Sequence, residues 1–463
     1  MFSMKLLVKN GTLVTGETQQ KADLLIEDGR IVRVAPHLED FGAEMLDAAG
    51  CLVFPGFIDA HTHLDMECAA GFTADDFKTG TRAALAGGTT TVVDFATQDK
   101  GQTLEQGLRA WEEKAQGKAM CDYGFHMAIT DWTEDIPEQM ADMCRRGITS
   151  FKLYLAYDNL RLETEQVEQV LSAAAKLGAV VCAHCEDGDD VDRGIARQKE
   201  LGHFGPEAHP ASRPNEVEAE AVEQFLAMAR RTGAQAYVVH LSTRQGLEVI
   251  RAARREGQVV WAETCPQYLA LTDEVYRRPD FEGGKFVCSP PIRSQADQDE
   301  LWQALEAGEI EVISTDHCSF TLAQKAIGRE DFSLIPNGLP GIEHRSQLIY
   351  GLGVASGKLT PSQMCAQLSE NPARIFGLYP RKGSLQVGAD ADLVIWDPAV
   401  FQTISVQNQH QNVDYTPYEG LTLPGQARQV LLRGQVVSDR GAVEESASGI
   451  FLPRRGLKNL EET

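Results

Sequence analysis

The sequence predicts an α/β protein that consists of a (β/α)8 TIM-type barrel and a small β-sandwich domain built from both chain termini. Through the middle of the chain, short runs rich in Val, Ile and Phe alternate with stretches of helical periodicity. These runs occur near residues 52–58, 91–96, 123–129, 150–155, 179–184, 236–241, 258–263 and 311–315. Eight repeats favour a closed barrel, although periodicity alone does not exclude a doubly wound open sheet.

The helices between the strands are predicted from their periodicity and their endings. Apolar residues with helical spacing occupy residues 104–115, 163–176 and 215–232. Glycines follow several helical stretches, as in Gly87-Gly88 and at Gly178, where they are typical of a helix C-terminus. The middle of the chain therefore has the alternating order that a barrel requires.

Both ends of the chain have a different pattern, because they consist of short alternating segments separated by turn signals such as Asn10-Gly11. Neither end is long enough to bury a core alone. We therefore expect a composite β-sandwich domain from residues 1–53 and 384–450 and a catalytic barrel over residues 54–383. Residues 451–463 are expected to form a C-terminal tail that is charged and loose from Arg454 onwards.

Composition excludes several functional classes. The formal net charge of −24 argues against nucleic acid and against anionic membrane surfaces as partners. No apolar stretch reaches the ~18 residues of a membrane helix, and the start of the chain lacks the features of a signal peptide. With 10 cysteines and no sign of export, reduced thiols and a cytoplasmic location are expected.

Side chains that can bind metals stand at the ends of the predicted strands. His61 and His63 follow the first strand, and in extended backbone residues i and i+2 point the same way, so both imidazoles can reach one metal ion. The corresponding positions of later strands hold Asp94, Lys152, His184, His240 and Asp316. Each has an ordinary alternative role, such as a buried histidine bonded to a carbonyl. Together, at the ends of barrel strands, they predict a site for two divalent metals.

Lys152 is the unusual member of this set. An ammonium beside two dications is repelled, and burial adds to the effect, so its pKa falls and the neutral amine is favoured. A neutral amine can add carbon dioxide to form a carbamate, whose two oxygens can bridge two metals as a carboxylate does. A lysine paired with a neighbouring acid is the alternative, and the residues alone do not decide between the two.

The order of these residues along the chain resembles the amidohydrolase superfamily, specifically its cyclic amidase branch of hydantoinases and dihydropyrimidinases. The resemblance covers essentially the whole chain. It is carried by the metal-binding set and by the sequences of residues 87–95, 151–157, 263–268, 288–293 and 336–341.

The resemblance implies a binuclear centre. One metal would be held by His61, His63 and Asp316. The other would be held by His184 and His240, with carboxylated Lys152 and a hydroxide bridging the two ions. Zinc is the expected metal, and manganese or cobalt also suit histidine and carboxylate ligands.

The resemblance also implies a reaction, which is the opening of the cyclic amide (imide) bond of 5-substituted hydantoins or dihydropyrimidines to N-carbamoyl amino acids. The hydroxide would attack the ring carbonyl, and Asp316 would pass its proton to the leaving nitrogen. Tyr157 matches a tyrosine that hydrogen-bonds the developing oxyanion. Ser289 and Asn337 match positions whose backbone groups hold the amide edges of the ring.

The residues near the site bear on which ring is opened. Dihydroorotase-like relatives carry an arginine two residues after the second histidine, whereas this chain has Asp65, which would repel a substrate carboxylate. Tyr154 and Tyr157 present an aromatic surface that suits a hydrophobic 5-substituent. Many relatives have Met-Phe at Leu153-Tyr154 and Ala at Cys185, so substrate preference and stereochemistry stay open.

Three alternatives accompany this interpretation. Allantoinase would use the same metals on a ureido-hydantoin ring. Non-catalytic scaffold relatives lack metal ligands, whereas this chain has the complete set. Cys182 and Cys185 form a CxxC spacing that could indicate a redox or structural zinc site, but no partner CxxC exists. The resemblance further implies a homotetramer.

Overall fold

The structure is a computed structural model that describes residues 5–456. The first part of the described chain forms strands β1 (Lys5–Lys9), β2 (Thr12–Val14), β3 (Gln19–Lys21), β4 (Asp23–Glu27), β5 (Arg30–Ala35), β6 (Glu44–Asp47) and β7 (Leu52–Pro55). Four of them make one sheet in the order β5-β4-β1-β6, in which β1 runs antiparallel to β4 and parallel to β6.

The barrel follows. After β8 (Phe57–Thr62) and the hairpin of β9 (Glu67–Cys68) and β10 (Gly71–Phe72), its strands are β11 (Thr89–Thr97), β12 (Asp122–Ala128), β13 (Ser150–Tyr154), β14 (Val180–His184), β15 (Gln235–Val238), β16 (Val260–Thr264) and β17 (Val312–Ile313). β8 and β11 to β17 form one parallel sheet of eight strands in sequence order.

Two features close this sheet between its first and last strands. Thr62 pairs in parallel with His317, just beyond β17. The buried guanidinium of Arg345 donates hydrogen bonds to the carbonyls of Ile58 and Ile313, at 2.7 Å and 2.9 Å, and so fills the gap between β8 and β17. The predicted barrel is thereby confirmed, and the open doubly wound sheet is excluded.

The helices are α1 (Phe77–Ala86), α2 (Leu104–Ala115), α3 (Ile136–Arg145), α4 (Thr164–Leu177), α5 (Gly188–Glu200), α6 (Ala208–Ser212), α7 (Asn215–Thr232), α8 (Arg244–Arg255), α9 (Pro266–Ala270), α10 (Gln295–Glu306), α11 (Leu322–Lys325), α12 (Arg345–Ile349), α13 (Pro361–Cys365) and α14 (Asn371–Ile375). The three helices expected from periodicity correspond to α2, α4 and α7. Thr103 begins α2 with a capping box, and Gly178 ends α4 at φ 67°. In the described part of the chain, none of these helices combines the length and the apolar character needed to cross a bilayer.

The last strands are β18 (Leu393–Thr403), β19 (Thr422–Leu432), β20 (Gln435–Asp439) and β21 (Ala442–Val443). They join strands from the start of the chain in a seven-stranded sheet of order β21-β20-β19-β18-β7-β2-β3. Side chains from both chain ends, such as Leu6, Leu24, Leu393 and Leu431, share one buried core. The composite β-sandwich is therefore present, while the proposed domain boundaries stay a prediction.

The sequence suggested that the apolar run at residues 52–58 is a single strand, but the structure divides it into two. It is divided at Gly56 into β7, which belongs to the sandwich, and β8, which belongs to the barrel. The Gly56 N–H donates to the carbonyl of Asp392 at 2.8 Å, and a Cβ at this position would lie 2.1 Å from Thr90 Oγ1. The chain therefore needs a glycine where it passes from one sheet to the other.

The expectation of a loose tail from Arg454 is wrong for the described residues. The Leu452 N–H donates to the carbonyl of Tyr123 at 2.7 Å, and the Arg454 N–H donates to the carbonyl of Gly147 at 2.8 Å. The Arg454 side chain is buried and donates to the carbonyl of Phe125. The segment is ordered because it satisfies backbone groups at the start of β12 and before β13. Residues 457–463 of the predicted tail lie outside the described residues.

Candidate metal centre

One half of the centre lies between the first and the last strand of the barrel. The Nε2 atoms of His61 and His63 lie 3.1 Å and 3.2 Å from the same oxygen, Asp316 Oδ1. The ligand atoms of the three residues all lie within 4.8 Å of one another. The alternation of side chains along β8 thus brings both imidazoles to one point, and the three residues have the donor atoms and the spacing of a metal site.

Glu263 orients His61. Its Oε1 lies 2.6 Å from His61 Nδ1, and its Oε2 accepts a 2.8 Å hydrogen bond from the Tyr237 hydroxyl. Because a carboxylate only accepts, we assign the proton to Nδ1, which leaves the Nε2 lone pair free for a metal. Burial lowers the pKa of His61, but Glu263 and Asp316 outweigh it and raise the pKa to about 9. The surroundings of His61 attract a proton strongly, and the same negative charges also favour a metal cation.

Glu263 was missed by the sequence analysis. It lies near the end of β16, so the rule that found the other strand-end residues would have identified it as well.

The other half of the centre is formed by the fifth and sixth strands. His184 Nδ1 and His240 Nε2 lie 2.9 Å apart. His184 Nε2 lies 3.0 Å from a carboxylate oxygen of Glu186, which also accepts a 2.8 Å hydrogen bond from Arg213. The proton of His184 is therefore assigned to Nε2, and its Nδ1 lone pair is directed into the centre. Burial lowers the pKa of both histidines, which favours the neutral form that binds metals.

The two halves are in contact, since the rings of His61 and His240 lie 5.5 Å apart between centroids. Lys152 on β13 is buried, and its Nζ lies 4.8 Å from the centre of the Phe95 ring and 5.2 Å from that of Tyr154. Burial lowers the pKa of Lys152. The neighbouring carboxylates of Asp316 and Glu263 act in the opposite direction, but burial outweighs them.

The backbone is strained at three residues of the site. His240, Asp316 and Tyr157 have φ angles of 39°, 52° and 69°, in the left-handed region that non-glycine residues rarely adopt. Such conformations cost about 1–3 kcal/mol each and persist where the surroundings impose them, commonly at functional sites. All three residues lie just beyond the ends of barrel strands.

Tyr157 lies beside the second half of the centre. Its ring centroid is 5.2 Å from that of His184 and 6.4 Å from that of Tyr154, in an edge-to-face arrangement with the latter. Burial raises the pKa of Tyr157 to about 12, against the opposing effect of Arg213. Ser289 lies next to the Tyr157 hydroxyl.

Asn337 lies near the loop that follows the last barrel strand. Its carbonyl oxygen lies 3.8 Å from the Sγ atom of Cys318, two residues after Asp316.

Two features that the sequence singled out belong to neither ligand set. The Asp94 carboxylate accepts hydrogen bonds from Thr62 Oγ1 at 2.7 Å and Trp111 Nε1 at 2.9 Å, so it is occupied in holding the loop after β8. Cys182 and Cys185 are buried, and burial raises the pKa of Cys182 to about 12, so its thiol is poorly reactive. All ten cysteines are free.

A (β/α)8 barrel with histidines, a lysine and an aspartate gathered at the carboxyl ends of its strands defines a metal-dependent barrel hydrolase. Residues 52–437 match the amidohydrolase family, and the chain belongs to this family. It is 45% identical over 455 residues to the D-hydantoinase of Geobacillus stearothermophilus, covering 97% of each chain. It is 41% identical over 457 residues to the D-phenylhydantoinase of Escherichia coli strain HS, covering 98% of each. Among solved structures, dihydropyrimidinase from Brevibacillus agri NCHU1002 has a TM-score of 0.96 at 41% identity, with 98% of this chain and 99% of that chain covered.

Proposed function

We propose that this enzyme opens the ring of 5-substituted hydantoins or dihydropyrimidines by hydrolysis and releases N-carbamoyl amino acids. The observation that carries the proposal is the convergence of His61, His63 and Asp316 with His184 and His240 at the carboxyl end of one barrel. The names of the relatives, hydantoinases and a dihydropyrimidinase, support the same class of substrate.

The ligand sets suit two divalent ions. We assign one to His61, His63 and Asp316 and the other to His184 and His240, with Lys152 between them. Zinc is the proposed ion, and manganese and cobalt are compatible with the same nitrogen and oxygen donors. When bound, such a pair polarises the amide carbonyl and activates a water molecule.

Lys152 is proposed to be carboxylated at its Nζ atom. Burial lowers its pKa and so favours the neutral amine, whose lone pair forms a bond to the carbon of carbon dioxide with loss of one proton. The product is a negatively charged carbamate, which places an anion where an ammonium would be repelled by two metals. The aromatic rings of Phe95 and Tyr154 around Nζ keep bulk water away from it.

Proton transfer is assigned to Asp316. Burial raises the pKa of this carboxyl, but His61 and His63 hold it well below its usual range, so Asp316 is ionised. It takes the proton of the attacking water and delivers it to the ring nitrogen as the C–N bond breaks.

Tyr157 is proposed to stabilise the oxyanion that forms at the ring carbonyl. With a pKa of about 12 its hydroxyl stays protonated at neutral pH and donates a hydrogen bond to the developing charge. Backbone groups of Ser289 and Asn337 would hold the amide edges of the ring.

We propose that the enzyme distinguishes between rings by their 5-substituent, which would lie beside Tyr154 and Tyr157. Tyr154 and Tyr157 present ring edges and faces on the same side of the centre, which suits an aryl group. Asp65 follows the metal-binding histidines and would repel a carboxylate on the ring. We further propose that the enzyme is a cytoplasmic homotetramer, a location with which its ten free cysteines agree.

The proposed substrate class is tested by turnover of dihydrouracil, both enantiomers of 5-phenylhydantoin, allantoin and dihydroorotate by the metal-loaded enzyme. We expect the D-enantiomer of the aryl hydantoin to be opened fastest, with the N-carbamoyl amino acid as product and dihydroorotate opened slowest. In the Tyr154→Ala variant the ratio of aryl hydantoin to dihydrouracil turnover should fall. A preference for allantoin, or the absence of turnover on every one of these compounds with both metals bound, would contradict the proposal.

A further inference from the structure

A second buried lysine lies near the site, and the reaction as proposed above makes no use of it. Lys325, the last residue of α11, is 1% exposed. Its Nζ donates hydrogen bonds to three backbone carbonyls, those of Val287 at 2.7 Å, Pro336 at 2.7 Å and Gly338 at 2.8 Å. Within residues 5–456 it forms no ion pair with a carboxylate. The ammonium is therefore held by the backbone of two separate loops.

Both loops carry a residue assigned to the substrate. Val287 lies two residues before Ser289, and Pro336 and Gly338 lie on either side of Asn337. The same two loops are joined directly by the Gly338 N–H, which donates to the Val287 carbonyl at 3.1 Å. Lys325 thus stands at the point where the two substrate-binding segments meet.

The contacts of Lys325 leave out one carbonyl of this loop. The carbonyl oxygens of Pro336 and Gly338 accept hydrogen bonds from Lys325, whereas the carbonyl oxygen of Asn337 between them does not. In the described part of the chain that oxygen meets only the Cys318 thiol, at 3.8 Å, and so remains available to a ring N–H.

Stability alone does not explain a lysine at this position. Burial lowers its pKa to about 7, against the effects of the neighbouring Cys288 and Cys318 thiols, because the charge has left water for a place without a carboxylate. A methionine would fill a similar volume without this penalty. In its protonated form the lysine has three strong donors, which match the three carbonyls.

We propose that Lys325 is a positioning residue for the substrate: its ammonium draws the loops of Ser289 and Asn337 together at the separation that the amide edge of the ring requires. The inference rests on the proposed function, since it assumes that a cyclic amide binds between these loops. Lys325 itself is not among the residues assigned to the ring or to the metals.

The test compares Lys325→Met, Lys325→Gln and wild type, with Lys285→Met as the matched control. Lys285 lies two residues before Val287, and its ammonium pairs with Glu282 instead of with the loops. Two quantities are measured: steady-state kinetics on the ring that the wild type opens fastest, and hydrogen exchange of peptides covering residues 285–290 and 335–340 in the substrate-free holoenzyme.

We expect Lys325→Met to raise KM about tenfold, which is the effect of losing a charged hydrogen bond, while kcat changes much less. Exchange in both loops should become faster, and the metal content should stay at two ions per chain. Lys325→Gln keeps two N–H donors, so its KM should lie between those of wild type and Lys325→Met, whereas a residue that only fills space would show no such rescue. Lys285→Met should leave KM and exchange at 335–340 unchanged.

An unchanged KM in both variants, or unchanged exchange in the two loops, would overturn the assignment. If Lys325→Met does not fold, Lys325→Gln carries the comparison. A wild-type enzyme that opens none of the rings would refute the proposed function instead, and the exchange experiment would then decide by itself whether Lys325 holds the loops.

Discussion

Replacing Asp316 by asparagine should lower kcat for ring opening by about 10²–10⁴-fold, the contribution usually found for a positioned acid–base group. The amide has nearly the size of the carboxylate but cannot accept the proton of the attacking water. It also weakens the contact with His61 and His63, whose Nε2 atoms lie 3.1 Å and 3.2 Å from Asp316 Oδ1. Steady-state kinetics and metal analysis of the variant measure both effects.

Asp94→Asn is the matched control for this variant, since Asp94 is also a buried aspartate on a barrel strand. Its carboxylate bonds to Thr62 and Trp111 rather than to the histidines, so its loss should affect the loop after β8 and leave both metals in place. We expect turnover within about tenfold of wild type for the control, because no charged group at the reaction centre is lost. A kcat for Asp316→Asn as high as that of the control would contradict the assigned proton transfer.

Replacing Lys152 by alanine should abolish turnover and prevent the two metals from binding as a pair. The variant removes the Nζ atom that is proposed to carry the carbamate between the two ligand sets, and it leaves a cavity beside Phe95 and Tyr154. A short carboxylate such as acetate or propionate can enter this space and should partly restore both activity and metal content. Kinetics with increasing carboxylate concentration, together with metal analysis, measure the rescue.

The carbamate itself can be observed with ¹³C-labelled bicarbonate, which should give a carbamate resonance in the wild type and none in Lys152→Ala. Lys285→Ala is the control, because Lys285 is paired with Glu282 away from the metal ligands, and it should keep the resonance and full turnover. Full turnover by Lys152→Ala without added carboxylate would rule out the bridging role.

Much of this architecture could be predicted from the sequence because its signals are local. The apolar runs that became barrel strands are each a few residues long, and His184 and Lys152 could be placed by their position in those runs. The same rule extends to Glu263, which the sequence analysis passed over although it orients His61. The division of the run at Gly56 could not be seen, because two adjoining apolar strands of different sheets form one continuous pattern.

What the sequence could not provide are contacts between residues far apart along the chain. Nothing near Lys325 indicates that its ammonium meets the carbonyls of Val287 and Pro336. Charge suggested that Arg454 belongs to a loose tail, yet it is buried against β12, where the carbonyl of Phe125 accepts a hydrogen bond from its side chain. Such partners are fixed by the closure of the barrel and not by any local pattern.

The central claim is that one centre of two metals performs the hydrolysis, and metal titration of the chelated enzyme tests it most directly. The metal-free protein should be inactive on the ring that the holoenzyme opens, and activity should return as zinc is added in the presence of bicarbonate, until two ions are bound per chain. Turnover by the metal-free protein, or full activity with a single ion bound, would contradict the account.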